Sequence, residues 1–122
     1  MFEKIEMMRM ARAMGQHAAQ RHVVVARNIA NADTPGYRAQ DLGYHRATTG
    51  ALRVTNARHL DRPDWSPASR IVTPDGETSP NGNSVSLEEE MLKAAELKRQ
   101  HDLSLGIYRS ALDLMRSSLG RR

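Results

Sequence analysis

Two long stretches of helical periodicity, one toward each end of the 122-residue chain, most constrain its fold. In each stretch, a row of mostly apolar or small side chains alternates spacings of three and four, which is the pattern of a coiled-coil helix. In the first, from about residue 3 to 32, these are Ile5, Met8, Ala11, Gly15, Ala18, His22, Val25 and Ile29. In the second they are Leu87, Met91, Ala94, Lys98, His101, Leu105, Tyr108, Leu112, Met115 and Leu119. Helices of matched length predict an antiparallel pair.

The ends of the second helix carry their own signals. Ser86 and Glu89 have the spacing of a capping box, and Gly120 is suited to the position after the last turn. Acidic residues follow the helix start, where the dipole favours them. The C-terminal half also carries a second apolar stripe, which predicts packing partners on two sides: Leu103, Ile107, Ala111 and Leu114.

The first helix runs into a turn with well-specified chemistry, residues 28–37. Pro35 keeps Thr34 out of the helical region, so the helix must end by about Asp33. Pro35 followed by Gly36 predicts a type II turn. Asn28 and Asn31 lie three residues apart, where their amides are expected to bond the last helical carbonyls, and Tyr37 is suited to an interface.

Two motifs resemble those of the bacterial flagellar axial proteins, the family that builds rod and hook. The string from Asn28 to Tyr37 is similar to the N-terminal signature of that family. The run from Asn81 to Met91 is similar to the Gly-Asn-x-Val-x-Leu-x-x-Glu-Met pattern that opens the C-terminal helix of its proximal rod type. Residues 52–60 resemble the middle of these proteins loosely, without the usual His-Pro. The resemblance covers roughly two thirds of the chain.

The middle segment, residues 38–84, holds most of the prolines and the turn dipeptides Asp75-Gly76 and Asn81-Gly82. Residues 52–55 and 70–73 are compatible with short strands. We therefore expect a mainly α fold: two long terminal helices in an antiparallel coiled coil, joined by a long irregular loop with at most short β-strands. The expected division within one domain is 1–37, 38–84 and 85–122.

Composition argues against several classes of protein. The chain has no cysteine, and its five histidines match no standard metal spacing: His17, His22, His45, His59 and His101. No phosphate loop, nucleophile elbow or metalloprotease motif is present, so we expect no catalytic, cofactor or metal site. The N-terminus carries acids where a signal peptide has basic residues, and no apolar run follows, which predicts neither a signal peptide nor a membrane span.

The net charge of +4 is spread along the chain. It is +2 over residues 1–37 and +1 over each of 38–84 and 85–122, and no basic run exceeds two residues. A nucleic-acid-binding module would concentrate this charge on one face, so solvated surfaces and pairs between subunits explain it better. The nucleic-acid-binding alternative stays open, as do an enzyme acting on the cell wall and a protein from another rod segment.

The resemblance implies a structural subunit of the proximal rod of the flagellar basal body, a drive shaft that transmits torque for motility. It implies export by the flagellar type III apparatus without a cleaved signal, a position in the periplasmic space, and no enzymatic activity. The implied partners are copies of the chain, other rod proteins, the ring-to-rod adaptor and the membrane-ring protein; no nucleic acid and no small-molecule substrate.

The residues expected to act in assembly form three groups. The first is an assembly motif of Asn28, Ile29, Asn31, Thr34, Pro35, Gly36 and Tyr37. The second is the start of the C-terminal helix, with Asn83, Val85, Ser86, Leu87, Glu89 and Met91. The third is a helix seam of Leu105, Tyr108, Leu112, Met115 and Leu119.

Overall fold

The computed structural model describes residues 2–44 and 69–120. Two long helices, α1 (Phe2–Ala30) and α2 (Leu87–Ser118), flank two short strands, β1 (Asp41–Tyr44) and β2 (Ser69–Val72). Asn28 near the end of α1 bonds Glu90 at the start of α2, whereas Gly15 approaches Ser104 further along α2. The helices therefore pack antiparallel along each other. This confirms the predicted mainly α fold of two long helices with short strands between them.

The line of contact between the helices follows a seven-residue repeat on both sides. On α1 it runs through buried Ala11, Ala18 and Val25, as predicted. On α2 the buried residues are also seven apart: Glu90, Leu97, Ser104 and Ala111. Ala18, Val25 and Leu97 form the apolar cluster at its centre, and Ile29 and Ala94 pack against that cluster.

The predicted seam on α2 is therefore displaced by one residue from the line that faces α1. Leu105 and Leu119 are 41% and 75% exposed, while Tyr108, Leu112 and Met115 are half-buried at the edge. The physical reason is the close approach of the two backbones. A Cβ on Gly15 would lie 2.9 Å from Ser104 Oγ, so only a small residue fits on α2 at that point, and Leu105 lies beside it.

The helix ends agree with the sequence in three of four features. α1 ends at Ala30, before Pro35; α2 begins at Leu87; and Gly120 has a φ of 78°, the left-handed conformation expected after a helix. The predicted capping box is wrong. Ser86 is the extended N-cap residue, but its side chain makes no capping hydrogen bond, and Glu89 is exposed.

The two strands form an antiparallel sheet in which Asp41 pairs with Val72 and Tyr44 with Ser69. β2 matches the strand predicted near residues 70–73, β1 was not predicted, and the strand predicted at 52–55 lies outside the described residues. β1 lies against α1, where Leu42 and Val24 are both buried. The sheet thus covers one flank of the helix pair. Neither described helix contains a stretch long and apolar enough to cross a membrane.

Candidate functional site

The densest set of long-range hydrogen bonds among the described residues lies where the end of α1 meets the start of α2. We call this region the junction; it comprises residues 28–41 and 79–90. It joins the two motifs that the sequence singled out, although they lie some fifty residues apart in the chain. The junction is therefore where the geometry of the helix pair is set.

The turn after α1 has the predicted type II form. Tyr37 N–H donates to Thr34 O at 3.3 Å, and Gly36 has a φ of 73°. A second positive-φ glycine, Gly82, lies against the turn, and a Cβ there would lie 3.3 Å from Gly36 Cα. Gly36 N–H also donates to Asn81 O at 3.1 Å. Two loops distant in sequence thus pack backbone against backbone at a pair of glycines.

Asn83 connects the second motif to the first. Its side chain is buried, and Nδ2 lies within hydrogen-bond distance of three carbonyl oxygens, those of Asn31 at 3.0 Å, Ala32 at 2.8 Å and Thr34 at 2.8 Å. Its Oδ1 accepts from Val85 N–H at 2.7 Å. One amide therefore satisfies carbonyls left open by the end of α1 and also shapes the entry to α2.

Asn28 makes the corresponding connection from within α1 and is fully buried. Its Nδ2 donates to Gln40 O at 2.6 Å and to Glu90 Oε2 at 3.0 Å. Its Oδ1 accepts from Gln40 N–H at 3.1 Å and from the Tyr37 hydroxyl at 3.2 Å. The predicted bond to a helical carbonyl is confirmed for Asn31, whose Nδ2 donates to Arg27 O at 2.8 Å, and is wrong for Asn28. Asn28 therefore bonds three other parts of the chain rather than its own helix.

Glu90 is the residue that sequence reasoning missed. It is 2% exposed, and it accepts from Asn28 through Oε2 and from Lys93 Nζ through Oε1 at 2.8 Å. Glu89, the acid predicted for assembly, is exposed. A signal was available, because the Glu-Met pair of the resembling motif aligns with Glu90 and Met91. All three acids, Glu88, Glu89 and Glu90, are favoured by the helix dipole at this position. The sequence therefore does not indicate that only Glu90 faces inward.

A bidentate ion pair attaches β1 to α1 at the edge of the junction. Arg21 Nε and Nη2 donate to the two carboxylate oxygens of Asp41 at 2.7 and 2.8 Å. Burial alone would raise the pKa of Asp41, but the hydrogen bonds from Arg21 and Leu42 N–H and the nearby positive charges keep it below its usual value. Burial, followed by the charge of Arg21, lowers the pKa of the neighbouring His17.

The structure brings together most, but not all, of the residues predicted for assembly. The turn residues and Asn83 meet in the junction, and Ile29 packs against the apolar cluster. Leu87 and Met91 are exposed at the start of α2. Of the five seam residues, four lie along α2 and Leu119 is its C-cap, all away from the junction. Besides Glu90, the contributions of Gln40, Ser84 and Asp41 were not predicted. Their bonds depend on which segments meet in space, and no local pattern signals that.

The polar groups of the junction bond mainly to one another. They are amides, carbonyls, hydroxyls and the two ion-paired carboxylates of Glu90 and Asp41, and Ala39 N–H donates to Ser84 Oγ at 2.9 Å. Within the described residues, no group of three potential ligands is placed to hold a metal ion. The arrangement holds two helices and two loops in one relative position.

Comparison with known proteins gives the family. Residues 12–38, which contain most of α1 and the turn, match the model of the flagella basal body rod proteins. The chain is 32% identical to flagellar basal body rod protein FlgB of Agrobacterium fabrum, over 98% of this chain and 96% of that protein. The chain belongs to the FlgB family of flagellar basal body rod proteins.

Two further FlgB proteins agree with this assignment. Identity is 34% to FlgB of Salmonella typhimurium, over 83% of each chain, and 33% to FlgB of Escherichia coli, over 71% of this chain and 73% of that one. The family predicted from the two motifs is confirmed. The chain is a structural subunit of the basal-body rod, it is found in the flagellar basal body, and it assembles with other rod components.

Proposed function

We propose that this FlgB-family chain acts in the proximal part of the rod and transmits torque through its helix pair. The observation that carries the proposal is the junction. It fixes the angle and register of two long helices through buried hydrogen bonds, and a subunit that transmits torque needs such a fixed geometry. When the rod rotates, the two helices of each subunit must not slide past each other. Buried amides whose hydrogen bonds are all satisfied resist such sliding.

The residues predicted for assembly take two different parts in this proposal. The turn residues and Asn83 hold the subunit in one conformation. Leu105, Tyr108, Leu112, Met115 and Leu119 are proposed to contact neighbouring subunits. Their partial exposure along one side of α2 supports that role, because large apolar side chains exposed in a row mark an interaction surface.

The same proposal covers the finer points of location and partnership. We infer that the chain is not an enzyme and works without a cofactor. We also infer that the flagellar type III apparatus exports it without a cleaved signal and that it lies in the periplasmic space. Its proposed partners are copies of itself, other rod proteins, the ring-to-rod adaptor and the membrane-ring protein. The expected division into residues 1–37, 38–84 and 85–122 stays part of this proposal.

The test is electron microscopy of basal bodies from a strain with an in-frame deletion of this chain, complemented with the intact sequence. We expect rings without rod, hook or filament in the deletion, and complete structures after complementation. Complete rods in the deletion would overturn the proposal. Complementation with Asn83→Asp, with exposed Gln16→Ala as the matched control, tests the junction itself, and only the first variant should fail to restore rods.

A further inference from the structure

The two flanks of the helix pair differ in what covers them. On one flank the sheet packs against α1, joined by the Arg21–Asp41 pair. The opposite flank carries an open groove of about 520 Å³ between α1 and α2. Several of its lining residues are themselves exposed, among them Ala19, His22 and Lys98. The groove is thus a surface depression and not an enclosed ligand cavity.

The groove has an apolar floor and a basic rim. Its buried lining residues are Ala18 and Leu97. Around them lie the small side chains of Ala19, Ala94 and Ala95 together with Lys98, His22 and His101. None of the lining residues is acidic. Small side chains allow another helix to approach closely, and the lysine favours a carboxylate on that helix. The groove therefore fits a helix that presents one large apolar side chain beside an acid.

The start of α2 presents that combination on the outside of the same chain. Leu92 is 72% exposed, and it lies two residues, about 200°, around the helix from buried Glu90. Glu88 is exposed one turn before Leu92, so the two side chains neighbour each other on the outer face. Leu92 lies only six residues before Lys98 on one continuous helix, so it cannot reach its own groove.

We propose that Leu92 and Glu88 of one copy dock into the groove of a second copy, with Leu92 against the alanines that line it and Glu88 beside Lys98. The two patches are different surfaces of one chain, so the contact is head-to-tail and leaves a free patch at each end. Repeated contacts of this kind build rings or helical rows rather than closed dimers. This inference rests on the proposed rod function and names one contact between its subunits.

Cysteine cross-linking tests the contact directly, because the chain contains no cysteine of its own. Leu92→Cys and Ala19→Cys are placed in two differently tagged copies, co-expressed in the deletion strain, and oxidised in purified basal bodies. We expect a disulfide-linked pair carrying both tags. The matched control replaces Ala19→Cys by Glu96→Cys, which is exposed on α2 but does not line the groove, and should give no such pair.

A charge exchange tests the Glu88–Lys98 pairing. Lys98→Glu alone and Glu88→Lys alone should each lower the yield of the cross-linked pair about fivefold, as expected for loss of one partly exposed ion pair. The double exchange in every copy should restore it. Cross-links from Leu92→Cys to a different rod protein, or rods that form normally without the mixed-tag pair, would overturn this inference and leave the rod function standing. Complete rods in the deletion strain would instead overturn the function.

Discussion

Asn28 and Asn83 act as two-sided connectors because an amide donates and accepts from the same side chain. Asn83 bonds carbonyls at the end of α1 through Nδ2 and the entry to α2 through Oδ1. Asn28 bonds the buried Glu90 carboxylate and the turn hydroxyl of Tyr37. Neither role can be taken by a carboxylate or an alkyl group of the same size, since each requires both a donor and an acceptor.

Asn83→Asp is expected to lower the free energy of unfolding by about 2 kcal/mol or more, because it replaces the N–H donor by an oxygen facing three carbonyls. Chemical denaturation followed by circular dichroism measures this. Gln16→Ala, an exposed change on α1, should stay within about 0.5 kcal/mol of the parent protein. Equal stability of Asn83→Asp and the parent would show that the amide donor is not needed.

Gly36→Val is expected to block motility, because valine strongly disfavours the φ of 73° that the turn requires. Space is not the cause, since nothing lies within 4 Å of a Cβ at this position. Gly76 is the matched control, because a Cβ there is equally unobstructed and its φ is not positive. Swarming of complemented strains gives the readout, and normal swarming with Gly36→Val would contradict the role of the turn.

The distance between the backbones of the two helices varies along their contact. Gly15 and Ser104 meet where the backbones are nearest, and Leu97 fills the space between Ala18 and Val25. Polar Glu90 occupies the last core position, beside Asn28. A buried polar pair at one position of a heptad seam sets register, and we infer that this pair prevents α1 and α2 from sliding by one turn.

Gly15→Ala and Gly106→Ala form a matched pair at the level of the helices. Alanine raises helix propensity by about 1 kcal/mol at either position. Gly106 has open space around it, whereas a Cβ on Gly15 would lie 2.9 Å from Ser104 Oγ. We expect Gly106→Ala to raise the melting temperature and Gly15→Ala to raise it less or lower it. A larger gain at Gly15 would mean that the helices are not in close contact there.

The stability of the whole molecule depends on pH through ionisable groups that lie between α1 and the sheet. His17 and Asp41 both have pKa values below their usual ones, so both remain deprotonated in the folded chain at a pH where the unfolded chain binds protons. Acid therefore favours the unfolded state through each of them.

The free energy of unfolding is expected to start falling as pH drops below 6.5, the ordinary value for the histidine. It should fall again below about 3.8 as the Arg21–Asp41 pair is lost on protonation of Asp41. Urea denaturation across the pH range gives both declines. His17→Gln should remove the first, and His22→Gln, an exposed control, should keep it. An unchanged slope in His17→Gln would contradict this assignment.

The sequence alone determined the parts of this protein that depend on neighbours along the chain. The two helices follow from periodicity, the end of α1 from Pro35, and the type II turn from Pro35-Gly36, because each is decided by local backbone sterics and hydrophobic spacing. The family followed from the same strings. The strand near residues 70–73 could also be predicted, because β propensity is a local property. Local propensity does not indicate which segment pairs with that strand.

Which side chains face inward, and what they bond, depends on how distant segments pack in the folded chain. The face of α2 toward α1 runs through Glu90, Leu97, Ser104 and Ala111, because the close approach of Gly15 to Ser104 leaves no room at that point for the leucine that hydrophobicity selects. Glu90 could not be separated from its acidic neighbours, since its partner Asn28 lies 62 residues away. Hydrogen bonds between distant segments leave no periodic trace in a sequence, and they are what fixes the two helices relative to each other.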